Sequence, residues 1–179
     1  MPPPLGPNAI VLFAGVCVAA AALIANSWSQ WQTARIANAL QSLQTLRTDR
    51  EYLINVDVVK RVIHEEDGSW GTPLNEGLQA RFADLAPGPS YDKPSFREAS
   101  LFILNQYEFL AASVRSGATD IVLVRTTLRG PIAALVTTYS AEIVAPRRQY
   151  PRALTNLIWL HRILSGSMRP YLGPDNIGD

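Results

Sequence analysis

Apolar residues run unbroken through residues 9–25, AIVLFAGVCVAAAALIA, with no charged side chain among them. At the rise of an α-helix this run spans roughly 25 Å, and residues 5–7 bring it near the roughly 30 Å of a bilayer's hydrocarbon core. Trp28 and Trp31 follow, at a place where a membrane interface favours amphipathic rings. Prolines at positions 2, 3, 4 and 7 keep the leader from being helical. The pattern predicts a short extracytoplasmic tail over residues 1–8 and a transmembrane helix over 9–26. A cleaved signal peptide would need a positive n-region, and residues 1–8 hold no Lys or Arg. The core helix of a soluble domain is the other alternative, and the uninterrupted run argues against it. Gly15 and the small residues 19–22 would permit close approach of a second helix, although alanine is also simply a good helix former.

The pattern then changes to three-four spacing. Ile36, Leu40, Leu43 and Leu46 mark an amphipathic juxtamembrane helix over 27–50 that continues the anchor as a stalk. Asp49 is placed to cap a following helix with Leu53, Val56, Val59, Val62 and Ile63 on one face. Its β-branched residues leave a strand reading open over 55–63, but Lys60 and Arg61 at helical spacing from Glu65 and Glu66 favour a helix. Breakers at 68–73 mark a loop, and residues 74–85 read as a short helix with Leu78, Phe82 and Leu85 on one side. Residues 86–94 form the longest irregular stretch.

Ser95 followed by Glu98 is a capping box. It opens the best-marked helix, closed by the cationic turn and glycine of Arg115 and Gly117. Asp120 begins the next helix, which Gly130-Pro131 is expected to break or kink before it resumes over 132–143. Pro146 ends that piece, Pro151 opens a last helix, and Gly166 closes it. The fold class is therefore all-α: one N-terminal transmembrane helix, a helical bundle domain over 51–166, and a flexible tail over 167–179. No internal repeat is visible.

Lys+Arg number 16 and Asp+Glu 15, a net charge of +1 that makes no electrostatic case for nucleic acid. Arginine greatly outnumbers lysine, a bias that base composition can produce. The mean hydropathy of +0.05 is high for a soluble chain because the apolar residues concentrate at one end. Arg35, Arg47 and Arg50 follow the apolar run. The positive-inside rule then puts the C-terminal domain in the cytoplasm of a single-pass protein of the inner (plasma) membrane.

The runs ILNQYEFL from Ile103, RSGATD from Arg115, and Leu128-Arg129-Gly130 resemble a bacterial family of unknown function, DUF4760. The resemblance spans about residues 35–165 and is best over 96–143. It implies a short N-terminal transmembrane helix joined to a cytoplasmic helical domain, and it implies no activity.

Candidate chemistry is sparse. The only cysteine, Cys17, lies in the apolar run, so neither a disulfide nor a cysteine metal site is expected. His64 and His161 are far apart in sequence, and neighbours in His64-Glu65-Glu66-Asp67 point different ways on a helix. There is no nucleophile elbow and no glycine-rich phosphate loop. Arg147, Arg148 and Arg152 near Tyr150 form a small basic cluster suited to anionic headgroups. Glu108 borders an apolar stripe with Leu101, Leu104, Asn105 and Ala112. The bland expectation is a structural ion pair with Arg125 and Arg129, one turn apart on the following helix. The alternative is a general acid or base with a raised pKa.

These readings lead to a membrane-anchored interaction or regulatory module without catalysis of its own. It would contact the bilayer through residues 9–26, with Trp28 and Trp31 at the interface, and would bind a protein partner or itself. Neither cofactor nor metal is expected. Two alternatives stand beside it: a small accessory subunit of a larger membrane complex, and an enzyme using Glu108 with neighbouring arginines on an unidentified substrate.

Overall fold

A computed structural model describes residues 7–90, 92–147 and 152–166, with side chains described for 15–90, 92–144 and 152–166. Among these residues the chain is all-helical, and its one β-type pairing is an isolated bridge between Ser90 and Lys93. The elements are α1 (Pro7–Thr48), α2 (Arg50–Glu65), α3 (Glu76–Ala83), α4 (Phe96–Arg115), α5 (Ile121–Thr138), α6 (Ser140–Arg147) and α7 (Thr155–Leu164).

The first helix is a single rod of 42 residues, about 63 Å long at 1.5 Å per residue. No break separates the stretch expected to cross a membrane from the juxtamembrane stretch: helical backbone is continuous through 26–27, where nothing in the sequence could interrupt it. It opens at Pro7, whose missing N–H belongs to the unpaired first turn in any case. Every side chain over 15–31 is exposed, so this part of the rod projects from the bundle. Contact begins beyond it, with Ala39 and Leu43 buried while Ile36 and Leu40 stay outside. The rod ends where Asp49 leaves helical geometry and its carboxylate accepts the Tyr52 N–H at 2.8 Å, starting α2.

Helix α4 is the centre of the bundle. It packs against α2, α3, α5 and α7, and Ala99, Ile103, Leu104, Tyr107, Leu110 and Ala111 are all buried along it. The capping box expected at its start forms, with Ser95 and Glu98 each serving the other's backbone N–H. The strand reading of 55–63 fails in favour of α2, whose buried face is Asn55, Val58, Val59 and Ile63. That face is rotated from the expected one, and Leu53 is left 47% exposed. Asn55 tolerates burial because its Nδ2 donates to the Glu51 carbonyl at 2.8 Å. In α3, Leu78 is buried as expected, but Leu85 lies beyond the helix end at Asp84 and is exposed.

The expected break at Gly130-Pro131 does not occur: α5 stays continuous through Pro131. The chain turns later, between Thr138 and Ser140. There the Thr138 carbonyl accepts from the Leu74 N–H at 3.2 Å and its hydroxyl from the Gly71 N–H at 2.8 Å, so the loop before α3 fixes the turn. Helix α5 is also apolar enough in length and composition to cross a membrane. Its buried Val124, Leu128, Ile132 and Leu135 face the bundle, however, while Arg125 and Arg129 project from it. Residues 1–6, the flexible tail expected over 167–179, and Arg148 and Tyr150 of the basic cluster lie outside the described residues.

Candidate functional site

The projecting rod meets the bundle at one corner, the turn between α4 and α5. Gly117 takes a left-handed φ of 76° there, which a residue without Cβ adopts freely. The buried Thr119 hydroxyl lies 2.6 Å from that of Ser113 and stiffens the turn. Asp120 then caps α5, its Oδ1 accepting the Val122 and Leu123 N–H groups at 2.9 and 3.0 Å. Its other oxygen faces α1: Oδ2 is 3.8 Å from Nη2 of Arg35, and both side chains are less than one-fifth exposed. Two further bonds tie the same pair of elements. The Asp120 N–H donates to the Arg35 carbonyl at 3.3 Å, and Asn38 Nδ2 donates to the Ala118 carbonyl at 2.9 Å.

One turn earlier the rod carries an aromatic platform. The Arg35 guanidinium sits 4.5 Å from the Trp31 ring centroid, and Trp31 lies 5.1 Å from Trp28. A cation over an indole face is attracted by the ring quadrupole, the more so when desolvated. Arg35 Nε is buried without a hydrogen-bond partner, so the ring and Asp120 carry its stabilisation. Trp28 and Trp31 are 61% and 44% exposed, leaving most of the platform uncovered by the bundle. Asp120 as a helix cap was legible in the sequence. Its pairing with Arg35, far away along the chain, was not.

Glu108 is placed differently from expectation. Its carboxylate makes no ion pair with Arg125 or Arg129, which lie on the exposed side of α5. It faces the start of α7 instead. Oε1 accepts from the Asn156 N–H at 3.1 Å and from Asn156 Nδ2 at 2.8 Å, and Oε2 accepts from the Leu157 N–H at 2.7 Å. Helix α7 needs this, because its N-cap is Leu154 in a left-handed conformation with no side-chain cap of its own. A carboxylate from α4 thus satisfies orphan N–H groups of another helix and meets the positive end of its dipole. Arg115 completes the clamp: its Nη1 donates to Asn156 Oδ1 at 3.1 Å and its guanidinium lies 5.7 Å from the Trp159 ring centroid. An Asn two residues into a helix that lacks a cap was the available sequence signal.

Other polar positions hold structure together. The hydroxyls of Tyr52 and Tyr107 are 3.4 Å apart between α2 and α4, and burial raises both phenols above their ordinary range. Tyr139, bonded to Ser100 at 2.8 Å, is raised for the same reason. These groups hold their protons at neutral pH and so serve as hydrogen-bonding core residues. Burial also lowers His161, with Arg162 adding to the effect. His64 is exposed. No cluster of three potential metal ligands occurs among the described residues. An open groove of about 790 Å³ runs between the outer face of α2 and the loop before α4. Leu53, Ile54, Pro89 and Pro94 line it, and the exposed Arg50–Asp92 pair at 3.7 Å borders it.

Fold and site together define an all-helical bundle locked at one corner to a long projecting N-terminal helix. The chain belongs to the family described as a domain of unknown function, DUF4760, whose model matches residues 9–163. No curated protein and no solved structure matches the chain.

Proposed function

We propose that the chain is a membrane-anchored interaction module: residues 9–26 cross the inner (plasma) membrane once and the bundle stands in the cytoplasm as a binding platform. The carrying observation is the apolar rod, whose side chains over 15–31 are all exposed. A helix apolar on all sides is buried in protein or in lipid, and the bundle leaves this one uncovered. Trp28 and Trp31 fall at its end, followed by Arg35, Arg47 and Arg50, the order a cytoplasmic interface favours. The apolar groove beside α2, with its exposed Leu53, supplies a surface for a protein partner.

The engagement of Glu108 favours this reading over an enzyme. Its two oxygens accept three hydrogen bonds from the start of α7, which commits the carboxylate to capping that helix. An accessory subunit of a larger complex differs from the leading reading in what covers the rod, helices in place of lipid. The test is extraction of native membranes with alkaline carbonate, together with fluorescent-protein and alkaline phosphatase fusions at residue 179. Retention in the pellet, fluorescence and an inactive phosphatase are expected. Release by carbonate defeats the anchor, and an active phosphatase reverses the orientation. A stoichiometric integral partner in mild detergent would favour the subunit reading.

A further inference from the structure

We infer that the exposed face of α5 is a contact surface for anionic lipid headgroups, an inference that rests on the anchored reading above. Val122, Arg125 and Arg129 fall within about 60° of one another at 100° per residue, so they share one side of the helix. All three are exposed, and neither arginine pairs with a described carboxylate. The nearest acid on the helix, Asp120, is already committed to the α5 N–H groups and to Arg35. The last turn of α4 adds the exposed Arg115 at the same corner.

The position of this face relative to the rod selects the occupant. Trp31 lies one helical turn before Arg35, Arg35 holds Asp120, and Arg125 follows Asp120 by five residues. Arg125 and Arg129 therefore lie about 7.5 and about 13.5 Å along α5 from the corner that Arg35 and Asp120 make with the rod. Acidic and basic groups mix at the other end. Glu65, Glu66, Asp67 and Glu76 lie where α2 meets α3, beside Arg81, which pairs with Glu66 at 3.1 Å. The Phe82 ring of α3 meets Phe96, the first residue of α4, edge to face, about 30 Å along that helix from Arg115. The side where the rod enters thus presents Arg125 and Arg129 without a paired carboxylate, whereas acid and cation offset each other at the far end. An anionic cytoplasmic leaflet attracts such cations near its surface. Val122, 63% exposed beside the arginines, suits the same interface.

The test uses the full chain with Cys17→Ala and Val122→Cys, labelled with a polarity-sensitive dye and reconstituted in vesicles of phosphatidylcholine alone or with phosphatidylserine. Emission should shift to the blue only in the anionic vesicles. The shift should vanish near 1 M salt, where the screening length falls to about 3 Å. It should be lost in Arg125→Gln/Arg129→Gln and kept in Arg125→Lys/Arg129→Lys. Equal emission in both vesicles, or a shift indifferent to the glutamine pair, overturns the inference. So does a shift that appears only when the soluble cell fraction is added, since the face would then serve a protein. Flotation of the same vesicles separates the two readings. A chain that floats with neither defeats the anchor and this surface together, whereas one that floats with both and shows no difference defeats the surface alone.

Discussion

Glu108, midway along α4, accepts the backbone N–H of Leu157 at 2.7 Å and so acts as the N-cap of a helix to which it does not belong. The bond places a carboxylate at the end of α7 that the helix dipole makes positive. It also explains how α7 begins at Leu154, a residue with a left-handed φ of 52° and no capping side chain.

Glu108→Ala should destabilise the protein by about 1–3 kcal/mol, the range for hydrogen bonds to a charged group left unmade. Glu108→Gln should cost less, because an acceptor oxygen survives. Arg125→Met and Arg129→Met should each stay within about 0.5 kcal/mol, as exposed changes do. Thermal melts of the full chain in mild detergent read all four. A large loss on Arg129→Met with none on Glu108→Ala would restore the ion pair that the spacing suggested.

At the corner where α1 meets the bundle, Asp120→Asn keeps a capping oxygen and loses the charge facing Arg35, whereas Asp120→Ala loses both. The alanine variant should be the weaker by about 1 kcal/mol, the usual worth of an N-cap. Arg35→Met and Asp120→Asn together should cost less than the sum of the two, since neither leaves the other's charge uncompensated. Strict additivity in that cycle would mean that the pair contributes nothing.

Two carboxylates should respond to pH with opposite sign. Burial raises Glu142, and its Oε2 has no hydrogen-bond partner. Its folded form holds the proton more tightly than its unfolded form, so stability is lost as pH rises through the raised pKa. Glu142→Gln should therefore stabilise the protein at pH 7.5 and change little at pH 4. Glu98 is lowered, first by the Ser95 N–H, then by the Gly88 N–H and the Ser95 hydroxyl. Its contribution is present above the ordinary carboxylate range and is lost as pH falls, so Glu98→Gln should flatten the acid limb. Denaturant midpoints across pH 3–8 distinguish these slopes; parallel curves for wild type and both variants would contradict them.

Gly88→Ala tests the loop before α4. A Cβ at Gly88 would collide with the Lys93 carbonyl oxygen and stand 2.5 Å from the Ser95 nitrogen. Both are backbone atoms, which cannot swing aside as a side chain would. The collision, and loss of the Gly88 N–H bond to Glu98 at 2.8 Å, should lower stability by about 1–3 kcal/mol. An unchanged melting temperature would show that the loop repacks freely.

What the sequence determined is local and periodic. The apolar run ahead of Trp28 compels a helix, and three-four spacing compels the amphipathic ones. The Asp49, Ser95 and Asp120 caps lie within three residues of the N–H groups they satisfy, so a short window contains the whole interaction. Even the β-branched stretch of α2 obeyed its charge spacing over its strand propensity. The continuity of α5 through Pro131 was missed because the outcome depends on neighbours: the chain turns where Thr138 surrenders its carbonyl to Leu74, and no local rule reports that bond.

Only tertiary structure decided which flank of α4 meets which helix. The spacing set Glu108 on a flank with Leu101 and Leu104, of which only Leu104 is buried, and α5 and α7 offered it rival partners, guanidinium groups or free N–H groups. Packing settled the choice. It turned the hydrophobic face of α5 inward, which carried Arg125 and Arg129 to the outside, and it brought the uncapped end of α7 against Glu108. Arg35 and Asp120 met for the same reason. A pairing across some eighty residues is set by how faces bury against one another, and periodicity fixes each face without naming its neighbour.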